Sequence, residues 1–436
     1  MIRAPRRTGL IFFPAYDWAI SPTHPEREER LLYTQDQVME EGLLDVEGIV
    51  EYRVRPATYE DIRRVHFCVP DEEAVTTQSH LIAAGGSLVA ADAVLKGEVE
   101  SAFALVRPPG HHSRRVVHGN RGFCNINNEA IMIEYIRDTY GIRRVAIVDT
   151  DCHHGDGTQD IYWHDPDTLF ISIHQDGRTL YPGSGFPDEL GGPNARGATV
   201  NIPLPPGTGE DGFLYVLEDL VMPLLEKFEP ELVINSAGQD NHFNDPITNM
   251  NFSARGYARL NARLKPDIAV LEGGYAVESA LPYVNVGIIM AMAGLDTATV
   301  KEPNYDRDYR PQPGDITRHI GNLVHELRGM FLEGRLPEER YEEGEIVRRD
   351  RDVFYDTDGI HERQHERIRI CRECAGVLSI DSSATTGAHI LAVRIPPSAC
   401  ARCRETGRAW FSEAAAGRGF DHVYLQDRDR GGYERA

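Results

Sequence analysis

Five short apolar runs punctuate the chain, at 102–106, 145–148, 168–173, 232–234 and 268–271. Each is rich in β-branched or apolar residues with little alternation, the pattern of parallel strands covered on both faces. Helical spacing fills the gaps, as at 127–140 and 211–228, so the pattern predicts βαβ units and an α/β fold with a mostly parallel sheet. The run 9–13 meets Pro14 and then Asp17, which reads as a first strand and not as the core of a signal peptide. Asp315 is placed to cap a helix whose Ile316, Ile320, Leu323, Val324, Leu327 and Phe331 form one stripe, closing a large domain at 1–335. Residues 336–368 are dominated by Arg, Glu and Asp and read as a charged linker or exposed helix. Two Cys-x-x-Cys pairs in 369–425 flank about 25 residues with two strand-like pieces, as in a zinc ribbon. The polar end, 426–436, reads as a disordered tail.

The residues directly after each run carry the chemistry. Arg107-Pro-Pro-Gly-His-His succeeds the first, Asp149-Thr-Asp-Cys-His-His the second, His174 the third, Asn235-Ser-Ala-Gly-Gln-Asp the fourth and Glu272-Gly-Gly-Tyr the last. Ligands of open α/β sheets bind at the carboxyl ends of the strands, so these groups converge. In Asp151-x-His153 a carboxylate and an imidazole alternate along extended backbone and can grip one cation. With Asp245 as third ligand, zinc keeps an open position, the arrangement of a catalytic site. His111 and His112 need carboxylates to fix their tautomers, and Asp149 and Asp156 are available. A histidine in isolation is more often a satisfied side chain than a catalyst; a pair at a strand end beside a metal is not that case.

Composition narrows the partners. The net charge of −22 over 436 residues argues against nucleic acid, and would suit a cationic partner such as a lysine-rich tail or a polyamine, although such charge mostly serves solubility. No run approaches the ~18 apolar residues of a membrane span. Seven cysteines, four of them as Cys371/Cys374 and Cys400/Cys403, suggest a reducing, cytoplasmic setting and a second, closed zinc site rather than disulfides. Cys124 and Cys152 are explained by packing. The Gly207-Thr-Gly-Glu-Asp-Gly212 match to a dinucleotide fingerprint comes after a Pro-rich loop and reads as a surface turn.

Taken together, His24-Pro-Glu-Arg, Pro56-Ala-Thr, Arg107-Pro-Pro-Gly-His-His, Gly122-Phe-Cys-Asn, Asp149-x-Asp-x-His-His-Gly-Asp-Gly-Thr-Gln, Tyr181-Pro-Gly-Ser-Gly, Ser236-Ala-Gly-x-Asp and Leu271-Glu-Gly-Gly-Tyr closely resemble the zinc-dependent histone deacetylase superfamily, in its class II and bacterial wording. The resemblance spans roughly the first 300 residues. It implies an arginase-like three-layer fold and a zinc held by Asp151, His153 and Asp245. It makes His112 the general base and acid, oriented by Asp156, and His111, paired to Asp149, an electrostatic partner. Tyr275 would donate to the oxyanion, and the Asp149 side chain, the carbonyls of Asp151 and His153, and Ser172 would form a potassium site. Phe123 and Tyr181 would wall an acyl-lysine tunnel, with Phe252, Gly273 and Gly274 completing the substrate-binding set.

These features predict hydrolysis of N-acyl amides, above all acyl-lysine in proteins. Acetylpolyamine hydrolysis is the alternative. Polyamine-selective relatives place Glu where this chain has Phe252, which would leave a substrate cation without a partner, and an insertion that narrows their tunnel is absent between Tyr16 and His24. An arginase-like dimetal site is disfavoured because Gly155 stands where a bridging carboxylate would be needed. A non-catalytic acyl-lysine binding module would have lost a ligand or the tyrosine, and neither is lost. A homo-oligomer is compatible with the sequence.

Overall fold

The computed structural model describes residues 2–12, 19–21 and 23–436. Phe13, Pro14, Tyr16 and Asp17, on which the end of the first strand and the missing insertion partly rest, lie outside the described residues. Ten strands precede residue 300: β1 (Arg3–Phe12), β2 (Glu47–Tyr52), β3 (Phe67–Cys68), β4 (Ser101–Leu105), β5 (Val116–Val117), β6 (Val145–Asp149), β7 (Thr168–Gln175), β8 (Thr199–Leu204), β9 (Leu232–Ser236) and β10 (Ile268–Val270). Eight form one sheet in the order β2-β1-β4-β10-β9-β6-β7-β8, and every neighbouring pair is parallel. The five apolar runs are β4, β6, β7, β9 and β10. Sequence pattern misses β2, a half-exposed edge, and β8, whose Thr-Val-Asn-Ile-Pro-Leu is fully buried but interrupted by polar and proline residues. Pro203 is tolerated there because β8 is an edge strand.

Alternate residues of β6 enter opposite cores, the physical reason the run shows no polar face. Val145 and Ile147 pack with the helices Gln78–Leu95 and Asn128–Tyr140, and Ala146 and Val148 with Ala254–Leu264, Leu281–Met292 and Gly314–Phe331. The last helix buries Ile320, Leu323, Val324, Leu327 and Phe331 as expected; Pro313, not Asp315, occupies its cap, and Asp315 lies in the first turn.

Beyond residue 335 the structure corrects the sequence-based expectation. The stretch that reads as a linker or helix is a long hairpin, β11 (Ile346–Tyr355) with β12 (Ile360–Arg369). It continues through β13 (Leu378–Ala384), β14 (His389–Ile395), β15 (His422–Asp427) and β16 (Gly432–Arg435) into a six-stranded sheet in sequential order. The expected disordered tail supplies β16, paired antiparallel to β15. The β14–β15 pair is parallel, joined by the helix Ala401–Ala416. Cys371 and Cys374 come after β12, while Cys400 and Cys403 open that helix, compatible with a small zinc ribbon set into the larger sheet.

Nor is this sheet a separate knob. Ile368, Leu378, Ile380, Ile390, Ala392 and Tyr424 share one core with Phe67, Val69 and Val116 of the catalytic domain. Charged side chains are buried at the same junction: Arg351 lies against Asp160, His164 Nε2 is 2.8 Å from Glu366 Oε1, and Arg428 Nη2 is 3.1 Å from Glu134 Oε2. Such pairs leave an uncompensated buried charge if one partner is removed.

Candidate active site

Four adjacent strands, β4, β10, β9 and β6, end at one place, and the loops after them deliver the polar groups. His111 and His112 come after β4. Their rings are 4.1 Å apart, His111 Nδ1 is 3.1 Å from Asp149 Oδ2, and His112 Nδ1 is 2.9 Å from Asp156 Oδ1. These are the pairings that the family resemblance implies. Asp156 also receives Arg114 Nη2 at 2.7 Å and Arg121 Nη1 at 2.7 Å, two arginines that sequence reasoning did not single out. Burial, the neighbouring His111 charge and Arg121 hold the His112 imidazolium down, to a pKa of about 3, against the pull of Asp156. His112 is therefore neutral, with Nδ1–H committed to Asp156 and Nε2 free to accept a proton. Burial works against charge on His111 as well, but Asp151, Asp149 and Glu272 outweigh it and raise its pKa.

After β6, Asp151 and His153 turn toward the same point. Gly273 N donates to Asp151 Oδ2 at 2.7 Å, and His153 Nδ1 lies 3.2 Å from Asp151 Oδ1 and 2.8 Å from Asp240 Oδ2. Among the described residues, Asp151, His153 and Asp240 are the carboxylate and imidazole group whose ligand atoms all lie within 4.8 Å of one another. Asp245 stands five residues further along the same loop; its Oδ2 accepts from Tyr275 N at 2.8 Å and its Oδ1 from Ile247 N at 3.0 Å. Burial and the Asp240 charge raise the Asp245 carboxyl to about 8. Two carboxylates and one imidazole in such a group fit a cation, and Asp240, not the expected Asp245, is the second carboxylate in it. Sequence reasoning passed over Asp240, although it closes the Ser236-Ala-Gly-x-Asp motif.

The loop after β10 is fixed by groups that no spacing rule would pair. Arg30, wholly buried, donates Nε–H to the Gly274 carbonyl at 2.8 Å and bonds the Glu272 carbonyl; Glu26 binds both Arg30 (2.6 Å) and Arg107 (2.7 Å). Gly273 can only be glycine: a Cβ there would lie 2.5 Å from Asp240 Oδ2 and 2.6 Å from Asp151 Oδ2. The Gly273 amide and the Gly274 carbonyl, expected to meet substrate, thus serve Asp151 and Arg30. Tyr275 is buried, with the Arg30 guanidinium 4.9 Å from its ring centre. Burial raises its pKa, so the hydroxyl stays a donor.

Aromatic rings border the approach to this centre. The Phe123 ring meets Tyr275 at 5.5 Å and His24 at 4.3 Å, both edge-on, while the Tyr181 ring meets His112 at 5.2 Å and His153 at 6.4 Å. Phe252 is a correction. It is fully buried, stacked on Phe213 at 4.6 Å and edge-on to Tyr257 at 4.7 Å, so it belongs to the core behind the site and says nothing about a substrate cation. Asp149 and Ser172 are register partners on β6 and β7, with Ser172 Oγ 2.8 Å from His174 Nδ1.

The four cysteines form the second donor cluster. Sγ of Cys371 lies 3.6 Å from that of Cys374 and 3.7 Å from that of Cys400, and the four sulfurs fall within 4.8 Å of one another. A tetrahedral ion with ~2.3 Å zinc–sulfur bonds places sulfurs ~3.8 Å apart, so the residues fit.

The histone deacetylase domain matches residues 71–286, a range that holds every side chain of the centre after β4, β6, β9 and β10. A probable deacetylase of Archaeoglobus fulgidus is 46% identical over 68% of this chain and 90% of its own length. A histone deacetylase-like amidohydrolase of Pseudomonas aeruginosa is 33% identical over 70% of this chain and 86% of its own. An acetylpolyamine amidohydrolase of Burkholderia pseudomallei is 39% identical over 44% of this chain and 57% of its own. The crystal structure of the HDA15 HD domain superposes with a TM-score of 0.65 at 25% identity, covering 75% of this chain and 96% of that one. The chain belongs to the histone deacetylase family, a group of deacetylases and amidohydrolases that act on amides.

Proposed function

We propose that the protein is a zinc-dependent deacylase that hydrolyses N-acyl amides of the acyl-lysine type, releasing a carboxylate and an amine. The observation that carries this is the pair of buried histidines, His112 on Asp156 and His111 on Asp149, beside the buried group of Asp151, His153 and Asp240, with Asp245 further along the same loop. The catalytic zinc is assigned to Asp151, His153 and Asp245. Asp240 is fully buried and lies against His153 Nδ1, so it orients the imidazole, whereas His153 and Asp245 keep some contact with solvent, where a substrate must arrive. A bound zinc supplies Lewis-acid polarisation of the carbonyl and lowers the pKa of the attacking water toward about 7.

The chain's own groups do the rest. His112 takes the proton of the attacking water at Nε2 and returns it to the leaving nitrogen, while Asp156 and its two arginines hold the ring in one tautomer. Tyr275 donates its hydroxyl to the developing oxyanion. Phe123 and Tyr181 flank the methylene chain of the substrate with flat apolar faces. Asp149, opposite Ser172 on the next strand, anchors a potassium site behind His111. Cys371, Cys374, Cys400 and Cys403 hold a structural zinc that leaves no position for water. The free thiols of all seven cysteines and the archaeal and bacterial relatives support a cytoplasmic assignment.

Acetylpolyamine hydrolysis stands as a second reading, because Phe252, buried in the core, does not bear on a substrate cation. Metal analysis with acetate-release assays tests the assignment. Asp245→Asn is expected to lose the catalytic zinc and the activity, and Asp240→Asn to keep zinc with reduced turnover. The opposite pattern moves the third ligand to Asp240, and full activity without zinc refutes the proposal.

A further inference from the structure

The turn that joins β11 to β12, residues 356–359, reaches from the C-terminal sheet to the mouth of the catalytic centre. Asp356 Oδ1 accepts two hydrogen bonds, from Gly122 N at 2.9 Å and from the Tyr181 hydroxyl at 3.1 Å. Those two donors belong to opposite walls of the approach. Gly122 precedes Phe123 and packs so closely on His112 that a Cβ there would lie 2.4 Å from His112 Cδ2. Tyr181 faces His112 and His153. The turn is pinned beside them: Asp358 Oδ2 accepts from Asn120 N at 2.6 Å and the Thr357 hydroxyl donates to Asn120 Oδ1 at 2.7 Å. Asp356 itself is exposed to solvent, and Tyr181, which it holds, is in turn edge-on to His112.

We propose that Asp356 is a positioning and specificity residue of the deacylase, tying the Phe123 and Tyr181 walls together and selecting N-acyl amines that carry a second, cationic amine. This rests on the deacylase reading of the centre. A carboxylate at the mouth attracts an ammonium group, and both of its wall contacts use one oxygen. A diamine with a four-carbon chain has the reach to present its free ammonium there while its acyl nitrogen lies beside His112. The C-terminal sheet is then a working part of the substrate site.

The test uses the full-length, zinc-loaded chain with N-acetylputrescine and its neutral analogue N-butylacetamide, following acetate release. The wild type is expected to favour the cationic substrate in kcat/KM. Asp356→Asn keeps an acceptor but not the charge, and should lower that preference about three- to fivefold, chiefly through KM, as befits a solvent-exposed ion pair. Asp356→Ala should lower kcat/KM for both substrates and speed amide hydrogen exchange at Gly122. An unchanged preference in the Asn variant overturns the specificity role, and unchanged exchange with unchanged kcat/KM in the Ala variant overturns the positioning role. If the wild type hydrolyses neither amide but releases acetate from an acetyl-lysine peptide, the specificity role fails and the deacylase reading stands; if it hydrolyses none of the three, the catalytic reading fails as well, while the exchange at Gly122 still decides the positioning.

Discussion

In the inner strands β4, β10, β9, β6 and β7 of the eight-stranded sheet the residues are mostly apolar and charge gathers at or just beyond their carboxyl ends; in the six-stranded sheet charge runs along the strands β11 and β12 themselves. β6 and β7 are buried at every position. β11 and β12 instead alternate, and three of the inward-facing residues of β12 are Glu362, Gln364 and Glu366, in line with the apolar Ile368. Both sheets bury polar groups, to different ends. At the ends of the parallel strands, unlike charges are crowded to set protonation states. Under the second sheet, Arg351, Arg349, His164, Asp160 and Glu366 pair across the junction and fix how the two parts meet. Substitutions in the first place should change rate, and in the second, stability.

Truncation is the most drastic way to separate the two sheets. A chain ending at Arg335 exposes Phe67, Val69 and Val116, which share a core with the second sheet, and strands the buried Glu134 and Asp160 without Arg428 and Arg351. We expect it to fail to fold as a soluble enzyme, read by circular dichroism and size-exclusion chromatography; a stable, active product of that length would show the sheets to be separable after all.

Next in size, Arg351→Ala removes the close partner of buried Asp160, leaving it only the more distant Arg114 and Arg349, and should cost about 3 kcal/mol in urea unfolding, with kcat of the folded fraction moved far less. Tyr275→Phe should do the reverse, lowering kcat about 100- to 1000-fold, roughly 2.7–4 kcal/mol of barrier, with the unfolding midpoint unmoved. A loss of stability in the tyrosine variant comparable to that of Arg351→Ala would erase the distinction.

The mildest change is in pH dependence. Burial alone would raise the Glu134 carboxyl, but Arg137, Arg428, Arg394 and Arg115 outweigh it and hold the group down from 4.5 to about 2. A depressed carboxyl contributes stability that is complete above its unfolded pKa and lost as pH falls. Stability should therefore decline as pH drops from about 4.5 toward 2. The decline should be shallower in Glu134→Gln, itself less stable at pH 7. Parallel pH profiles for the two proteins would remove Glu134 from the account.

The catalytic half of the molecule is written in local sequence. Parallel strands buried on both faces must be continuously apolar, and the polar residues at their ends must converge, so β4, β6, β9 and β10 and the centre beyond them are legible, while the His111–Asp149 and His112–Asp156 pairs come from the motifs shared with the family. Whatever depends on partners far apart in the chain needed the folded molecule. Arg30 fixing Gly274, Arg114 and Arg121 on Asp156, the burial of Phe252 and the arrival of Asp356 beside Tyr181 leave no periodic trace. The charged hairpin β11–β12 is invisible for the same reason: its buried face is largely polar and is satisfied by partners within the sheet and by His118, Asp160 and His164 of the other domain, so its hydrophobic pattern matches an exposed linker, and nothing local could say otherwise.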